Sequence, residues 1–169
     1  MHLSVVATET PHKTAVVLDN TRVSYGALDA ASRRIAVSSR HSGLSRGDVM
    51  GVMMSTGPEA VAAIAAGQRS GLYCLPLGPK LTASELKYIL EDSGAKLLIT
   101  DSENEDKVFA AALGIPGLIV TSIANIDHLF KLEDCPLDPD PVEGGDILKT
   151  TETTGLPKGV RRPLGVEPL

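Results

Sequence analysis

The chain has 169 residues, of which 43% are hydrophobic and 22% charged, and its formal net charge is −5. This length suits one domain that buries about two-thirds of its unfolded surface, and the composition is that of an ordinary globular protein. The negative charge argues against a nucleic-acid partner held through its phosphates. No apolar run approaches the roughly 20 residues of a spanning helix, and the N-terminus lacks a basic segment, so we expect neither a transmembrane segment nor a signal peptide.

The cysteines and histidines do not form a recognisable metal or redox motif. Cys74 and Cys135 are isolated, and the four histidines lack the spacing of metal ligands. We therefore expect reduced cysteines, a cytoplasmic location and no metal site built from these residues.

The first part of the chain predicts a β-hairpin followed by a helix. Two β-rich runs, Ala15–Leu18 and Thr21–Ser24, are joined by the turn pair Asp19-Asn20. Ser24 is a suitable N-cap for a helix that continues to about Ser42.

Strand and helix patterns then alternate. Asp48–Met54 is a continuous apolar run, typical of a buried parallel strand. The next predicted elements are a helix from Pro58 to before Gly71, a strand at Leu72–Leu77 and a helix from the capping box Thr82–Glu85 to Gly94. They are followed by a strand at Lys96–Thr100, a helix at Glu103–Leu113 and a strand at Gly117–Thr121. In the helix at Glu103–Leu113, the residues predicted to face inward are Val108, Phe109, Ala112 and Leu113. Ile123–Leu132 has helical spacing but is too short to assign.

This alternation indicates the α/β class, with a mainly parallel sheet flanked by helices. Residues 133–145 are acidic and contain three prolines, which is typical of a surface connection. Ligands of such sheets bind beyond the carboxyl ends of the strands. Ser55, Thr56 and Gly57 follow a strand and precede a helix, so an anion site is one interpretation, although a turn with a helix cap is favoured.

The segment Asp146–Arg162, DILKTTETTGLPKGVRR, is the strongest candidate for a functional site. It begins as a short strand and continues into a loop rich in threonine and glycine that carries one lysine. Hydroxyls and backbone N–H groups donate hydrogen bonds to phosphate, glycine allows close approach, and lysine supplies a cation. The loop is not a Walker A motif, because Gly159 follows the lysine in place of Ser or Thr.

The loop Thr150–Val160, TTETTGLPKGV, resembles the signature loop of AMP-forming acyl-CoA synthetases and their adenylate-forming relatives, usually Thr-Ser-Gly-Thr-Thr-Gly-x-Pro-Lys-Gly. The following VRRP resembles the fatty acyl-CoA synthetase branch. Upstream, VSYGALDAAS, GPEAVAAIAAGQRSGLYCLPL and LTASELKYILEDSGAKLLIT are similar to the family in the same order. The resemblance implies that residues 1–169 are a partial AMP-binding N-terminal domain, truncated just after the phosphate-binding loop.

The resemblance also implies a chemistry and a set of site residues. In the family the loop holds ATP, with Mg²⁺, while a carboxylate attacks the α-phosphate, and CoA then displaces AMP to give a thioester. A fatty acid and CoA are the implied partners, and no nucleic acid is expected. The implied ATP-binding residues, none of them catalytic, are Thr150, Thr151, Thr153, Thr154, Gly155, Pro157, Lys158 and Gly159.

Two departures from the family predict that this chain is inactive alone. Glu152 replaces the glycine of the loop and Lys149 replaces the usual tyrosine, and the family's downstream segments, including its mobile C-terminal domain, are absent from the sequence. A glutamate at a position with positive φ costs about 1–2 kcal/mol, and its charge near phosphate adds up to about 4 kcal/mol. Together these weaken ATP binding by about two to four orders of magnitude.

Three hypotheses therefore remain open from the sequence. The chain is a fragment of a fatty-acid–CoA ligase, or a non-catalytic remnant that binds nucleotide or associates with another chain, or an unrelated small α/β binding module. Because the family's covering elements are missing, we also expect exposed apolar surface and self-association.

Overall fold

The computed structural model of the protein describes residues 3–126, 144–150, 158–161 and 164. The elements are, in chain order, α1 (Leu3–Glu9), β1 (Thr14–Leu18), β2 (Thr21–Ser24), α2 (Tyr25–His41), β3 (Val49–Met53), α3 (Pro58–Arg69), β4 (Tyr73–Pro76), α4 (Ala83–Ser93), β5 (Ala95–Thr100), α5 (Glu105–Ala112), β6 (Ile119–Ser122), β7 (Gly145–Thr150) and β8 (Lys158–Arg161), with a 3₁₀ turn at Ile123–Asn125. The predicted strands and helices that fall within these residues are confirmed to within a few positions. α1 is an element that the sequence patterns do not predict.

Six strands form one sheet in the order β6-β5-β3-β4-β7-β8. Neighbours from β6 through β7 are parallel, and β8 runs antiparallel to β7. β1 and β2 form a separate antiparallel hairpin, in which Asp19 adopts a φ of 50° at the predicted turn. The prediction of an α/β fold with a mainly parallel sheet between helices is confirmed.

The central strand β3 supplies both halves of the hydrophobic core, because all five of its residues are buried. Met50 and Val52 pack on one face of the sheet, against α2 and α3. Val49 and Met53 pack on the other face, against α4 and α5. This alternation follows the two-residue repeat of a strand and explains why an uninterrupted apolar run was required here.

Local capping signals set the ends of the helices as predicted. The Ser24 hydroxyl accepts the Ala27 N–H at 3.2 Å and starts α2. At α4, Thr82 and Glu85 form a reciprocal capping box, in which each side chain accepts the other residue's backbone N–H. Gly94 ends α4 with a φ of 65°, a left-handed conformation that glycine adopts without strain.

The predicted inward face of α5 is wrong in part. Val108 is fully buried, but Phe109 is 55% exposed and Leu113 is 77% exposed, and Ala111 is the buried alanine in place of Ala112. α5 begins later than predicted and ends at Ala112, so Leu113 lies outside the helix. Phe109 is one residue, about 100° of helical rotation, from Val108 and therefore points away from the sheet.

In the described part of the chain, no helix combines the length and the apolar character that crossing a membrane requires.

Candidate functional site

The predicted phosphate loop connects two strands of an antiparallel hairpin. Thr150 pairs with Lys158, Lys149 with Gly159, and Leu148 with Val160. Because β7 is parallel to β4, its final residue Thr150 lies toward the edge of the sheet where the parallel strands finish. Ligands of open α/β sheets bind outside that edge, so the two ends of the loop stand where a ligand site is expected.

Only part of the predicted site falls within the described residues. Thr150 ends β7, and Lys158 and Gly159 begin β8, so their backbones are brought together by the hairpin ladder. The other predicted site residues lie outside the described residues, as does Glu152; they are Thr151, Thr153, Thr154, Gly155 and Pro157. The predicted surface connection 133–145 also lies outside them, except for Gly144 and Gly145.

β7 is joined to the rest of the sheet by a short ladder. Two residue pairs are formed within the described residues, Tyr73 with Gly145 and Cys74 with Asp146. The N–H groups of Tyr73 and Leu77 donate to β3 and its preceding loop, at 2.8 Å each. Backbone N–H groups along a strand point alternately to its two neighbours, so positions 74 and 76 of β4 face β7. After Cys74, the next N–H group for β7 would come from position 76, which is Pro76.

Proline has no N–H, so β4 has no donor for β7 beyond Cys74. The side chain of Ile147 then anchors β7, since it is 1% exposed and belongs to the core on the α4 and α5 face. The hairpin that carries the loop is therefore joined to the sheet by a short backbone ladder and by the buried Ile147 side chain.

A second crevice at the same edge lies between β3 and β5. The helices that follow these two strands pack on opposite faces of the sheet, which makes this the topological switch point where doubly wound sheets bind ligands. Here the backbone N–H of Ser55 donates to the Asp101 carboxylate at 2.6 Å, and the Ser55 hydroxyl donates to the Glu103 carboxylate at 2.8 Å.

The Ser55 N–H that follows β3 therefore already has an anionic partner, the carboxylate of Asp101. Its other carboxylate oxygen accepts the Asn104 backbone N–H at 3.1 Å and the Asn104 amide at 2.7 Å. Burial raises the pKa of Asp101, but the hydrogen bonds from Ser55 and Asn104 outweigh it and hold the pKa below its ordinary value. The favoured interpretation of Ser55, Thr56 and Gly57 as a turn and cap is supported, and Gly57 is the N-cap of α3.

Asp101 is a residue of this edge that the sequence reasoning missed. The available signal was its position directly after the apolar strand Ala95–Thr100, because a carboxylate at that end of a parallel strand faces the ligand edge. Its partner Ser55 is 46 residues away in sequence, and the pairing follows from β3 and β5 being neighbours.

An apolar cavity of about 380 Å³ lies beyond the ends of β3 and β4, beside the start of α3. Its lining includes Val52, Met54, Val61, Ile64 and Leu77. The lining also includes the hydroxyl-bearing Thr56, but most of the lining side chains are apolar, which suits an apolar group better than a phosphate.

The remaining reactive groups near β7 do not suggest a further chemistry. Burial, and then the negative charge of Asp146, raise the pKa of the Cys74 thiol, so the thiolate needed for nucleophilic chemistry is not formed at neutral pH. Within the described residues, no group of three or more His, Cys, Asp or Glu is placed to hold a metal ion.

Known proteins share this sequence and this fold. The 2-succinylbenzoate–CoA ligase of Bacillus subtilis (strain 168) is 30% identical over 160 residues, which are 92% of this chain and 31% of the ligase. Surfactin synthase subunit 2 of the same organism is 29% identical over 154 residues, 91% of this chain and 4% of that protein. The crystal structure of o-succinylbenzoate CoA synthetase from Bacillus subtilis, in complex with its acyl-adenylate intermediate, superposes with a TM-score of 0.75 at 26% identity, over 94% of this chain and 40% of that one.

The chain therefore spans less than a third of these two sequence relatives. Their names are those of a CoA ligase and a surfactin synthase subunit, so they do not single out the fatty-acid branch. The hypothesis of an unrelated small α/β module is wrong, because the AMP-binding enzyme pattern matches residues 3–163, nearly the whole sequence. From this match, the parallel sheet and the hairpin loop at its carboxyl edge, we conclude that the chain belongs to the AMP-binding enzyme family.

Proposed function

We propose that this chain is the ATP-binding part of a ligase that joins a fatty acid to CoA through an acyl adenylate, and that it does not turn over alone. The observation that carries the proposal is the position of the TTETTGLPKG loop, which leaves the carboxyl end of a parallel strand and returns through a hairpin. The VRRP segment that follows the loop supports the fatty-acid branch. The 2-succinylbenzoate–CoA ligase relative supports acid–thiol ligation as the class of reaction.

The donor set of the loop fits a triphosphate. Four threonine hydroxyls and one lysine fall within nine residues, between strand ends that are held together by the Thr150–Lys158 pair. Hydroxyls donate neutral hydrogen bonds to phosphate oxygens, and a lysine ammonium adds a charge-assisted one. We assign ATP binding to Thr150, Thr151, Thr153, Thr154, Gly155, Pro157, Lys158 and Gly159. ATP, when bound, supplies the adenylyl group that activates the carboxylate.

Magnesium is not assigned to any residue of the described structure. Mg²⁺ prefers a small number of carboxylates together with phosphate oxygens, and the loop itself contains one acid, Glu152. Within the loop itself, the positive charge available to the phosphates is that of Lys158.

An alternative is a non-catalytic chain that binds nucleotide weakly or associates with another chain. Two observations favour it: Glu152 stands where the family loop has glycine, and apolar side chains are exposed beside an edge strand. Phe109, Leu113 and Ile119 are 55%, 77% and 41% exposed, and the run 113–125 around β6 carries no charge. We propose that this patch mediates self-association, and that the protein is cytoplasmic.

The loop assignment is tested by ATP titration calorimetry on three variants. Glu152→Gly removes both the side chain and its charge, whereas Glu152→Gln removes the charge alone, so their difference measures the effect of a side chain at this position. We expect Glu152→Gly to raise ATP affinity about 10²- to 10⁴-fold over the wild type, with Glu152→Gln between them. Adding Lys158→Ala to Glu152→Gly should remove most of the gain.

The proposed inactivity is tested by acid-dependent ATP–pyrophosphate exchange with the purified chain. We expect no exchange above background with any fatty acid. Measurable exchange would contradict the inactivity, and ATP binding that survives Lys158→Ala would contradict the assignment of the loop.

A further inference from the structure

At the start of β7, the backbone of Gly144 and Gly145 is in direct contact with the backbone between the end of α3 and the start of β4. The Gly144 N–H donates to the Gln68 carbonyl, in the last turn of α3, at 2.7 Å. The Gly145 N–H donates to the Leu72 carbonyl, just before β4, at 3.1 Å. The corner between α3 and β4 therefore receives the start of the strand that leads into the phosphate loop.

This contact has no room for a side chain at position 144. A Cβ added to Gly144 would stand 2.2 Å from the Leu72 carbonyl oxygen, 2.8 Å from the Gly67 carbonyl oxygen and 2.9 Å from the Leu72 nitrogen. All three atoms belong to backbone, so no rotation of a side chain relieves the overlap. Any residue except glycine must push β7 away from α3 and β4.

The next glycine is in a different situation. A Cβ added to Gly145 would meet the side chains of Leu164 and Tyr73 at 3.3 and 3.4 Å. These are atoms of side chains, which adjust by a few tenths of an ångström. A methyl group added at position 144 therefore has to displace backbone, whereas one added at position 145 has to displace only side chains.

The backbone ladder beyond Gly144 is short, which limits how far it can oppose a displacement there. Two residue pairs join β7 to β4, and Pro76 supplies no N–H to extend them. Downstream of Asp146, the buried Ile147 side chain anchors the hairpin in the core. The position of Thr150 and Lys158 is accordingly set at the entry to the strand, and Gly144 is the residue that permits that entry.

We infer that Gly144 is a positioning residue for the phosphate loop, acting through the close backbone contact of β7 with the corner between α3 and β4. The inference rests on the proposed function for the role of the loop, and on the structure alone for the placement of the hairpin. The ligand concerned is a nucleoside triphosphate, which the displaced loop would hold less well.

The experiment compares Gly144→Ala with Gly145→Ala, the matched control one residue away. Amide hydrogen exchange is measured by NMR for residues 145–150 and 158–161, and for β3 and β5 as internal references. We expect Gly144→Ala to speed exchange in the hairpin at least tenfold while β3 and β5 remain protected. Gly145→Ala should leave both sets within about twofold of the wild type.

ATP affinity is measured for both substitutions in the Glu152→Gly background, where the defect of the loop itself is relieved. We expect Gly144→Ala to weaken binding at least tenfold and Gly145→Ala to change it little. If Glu152→Gly binds no ATP, the proposed function fails, and the exchange data still decide whether Gly144 places the hairpin.

Three results would overturn the inference. The first is unchanged hairpin exchange in Gly144→Ala. The second is loss of protection in β3 and β5 together with the hairpin, which would make Gly144 a residue of global stability. The third is equal loss in Gly145→Ala, which would mean that β7 accepts no added carbon at either position.

Discussion

Where α2 packs against α3, the carboxylate of Asp29 balances the positive charge of Arg69. It is buried, forms an ion pair with the buried Arg69 of α3, and also contacts Arg33 at 2.9 Å within its own helix. The sequence did not predict this pair, because Asp29 and Arg69 are 40 residues apart and only their helices carry a local signal. Its effect on stability follows from burial, since a buried charge without its partner is costly.

We predict that Asp29→Ala lowers the free energy of unfolding by about 3–5 kcal/mol, because it breaks the buried ion pair with Arg69. Arg33→Ala is the control: its side chain is 38% exposed, so the loss should be about 0–1 kcal/mol. Urea denaturation followed by circular dichroism measures both. Equal losses would show that the two ion pairs contribute alike, contrary to this account.

Asp101 makes stability depend on pH in a defined direction. Its pKa is lower in the folded than in the unfolded protein, so its contribution is fully present above the unfolded value of about 3.9 and is lost as the pH falls through the folded pKa. We predict that stability falls less steeply below about pH 4 in Asp101→Asn than in the wild type. Thermal unfolding from pH 2.5 to 7 gives both slopes, and parallel slopes would contradict the prediction.

At the scale of elements, strands and helix ends followed from local chemistry and could be predicted. Ser24, Thr82 and Gly94 specify caps through their own hydrogen bonds or backbone freedom, and β3 is specified by its uninterrupted apolar run. The face of α5 could not be predicted as well, because Val108 and Phe109 are both apolar and only the position of the sheet selects between them. α1 lacks a local signal, since β-branched Val5 and Val6 do not favour a helix.

We predict that Val108→Ala lowers the free energy of unfolding by about 1–3 kcal/mol, because it opens a cavity against the sheet. Phe109→Ala should change it by no more than about 0.5 kcal/mol, since its larger side chain is more than half exposed. Chemical denaturation of the two variants measures the difference. A larger loss for Phe109→Ala would restore the original prediction that this residue faces inward.

At the scale of the molecule, the order of the strands determines contacts that could not be predicted from the sequence. The motif and its place after a strand were predictable, and the alternation of elements implied a parallel sheet. Which strands are neighbours was not predictable, because β3 pairs with β4 and β5 through crossovers in opposite directions. Both the Ser55–Asp101 contact and the joining of β7 to β4 arise from that order.

We predict that the protein self-associates through the patch of Phe109, Leu113 and Ile119. Analytical ultracentrifugation over a hundredfold range of concentration should show a rising average mass, and the double substitution Phe109→Ser and Leu113→Ser should shift it toward the monomer. Val17→Ser is the control, because Val17 is 56% exposed on β1, away from β6. A monomer at every concentration, or equal effects of both changes, would contradict the prediction.

The Asp101 carboxylate affects the binding of anions from solution, because it competes with them for the Ser55 N–H. It is tethered beside the Ser55 N–H, so its effective concentration there is on the order of millimolar or higher. Sulfate or phosphate from the buffer must displace this internal carboxylate to bind at the Ser55 N–H. Anion titrations should therefore report on one class of site, and protonating or removing Asp101 should reveal a second.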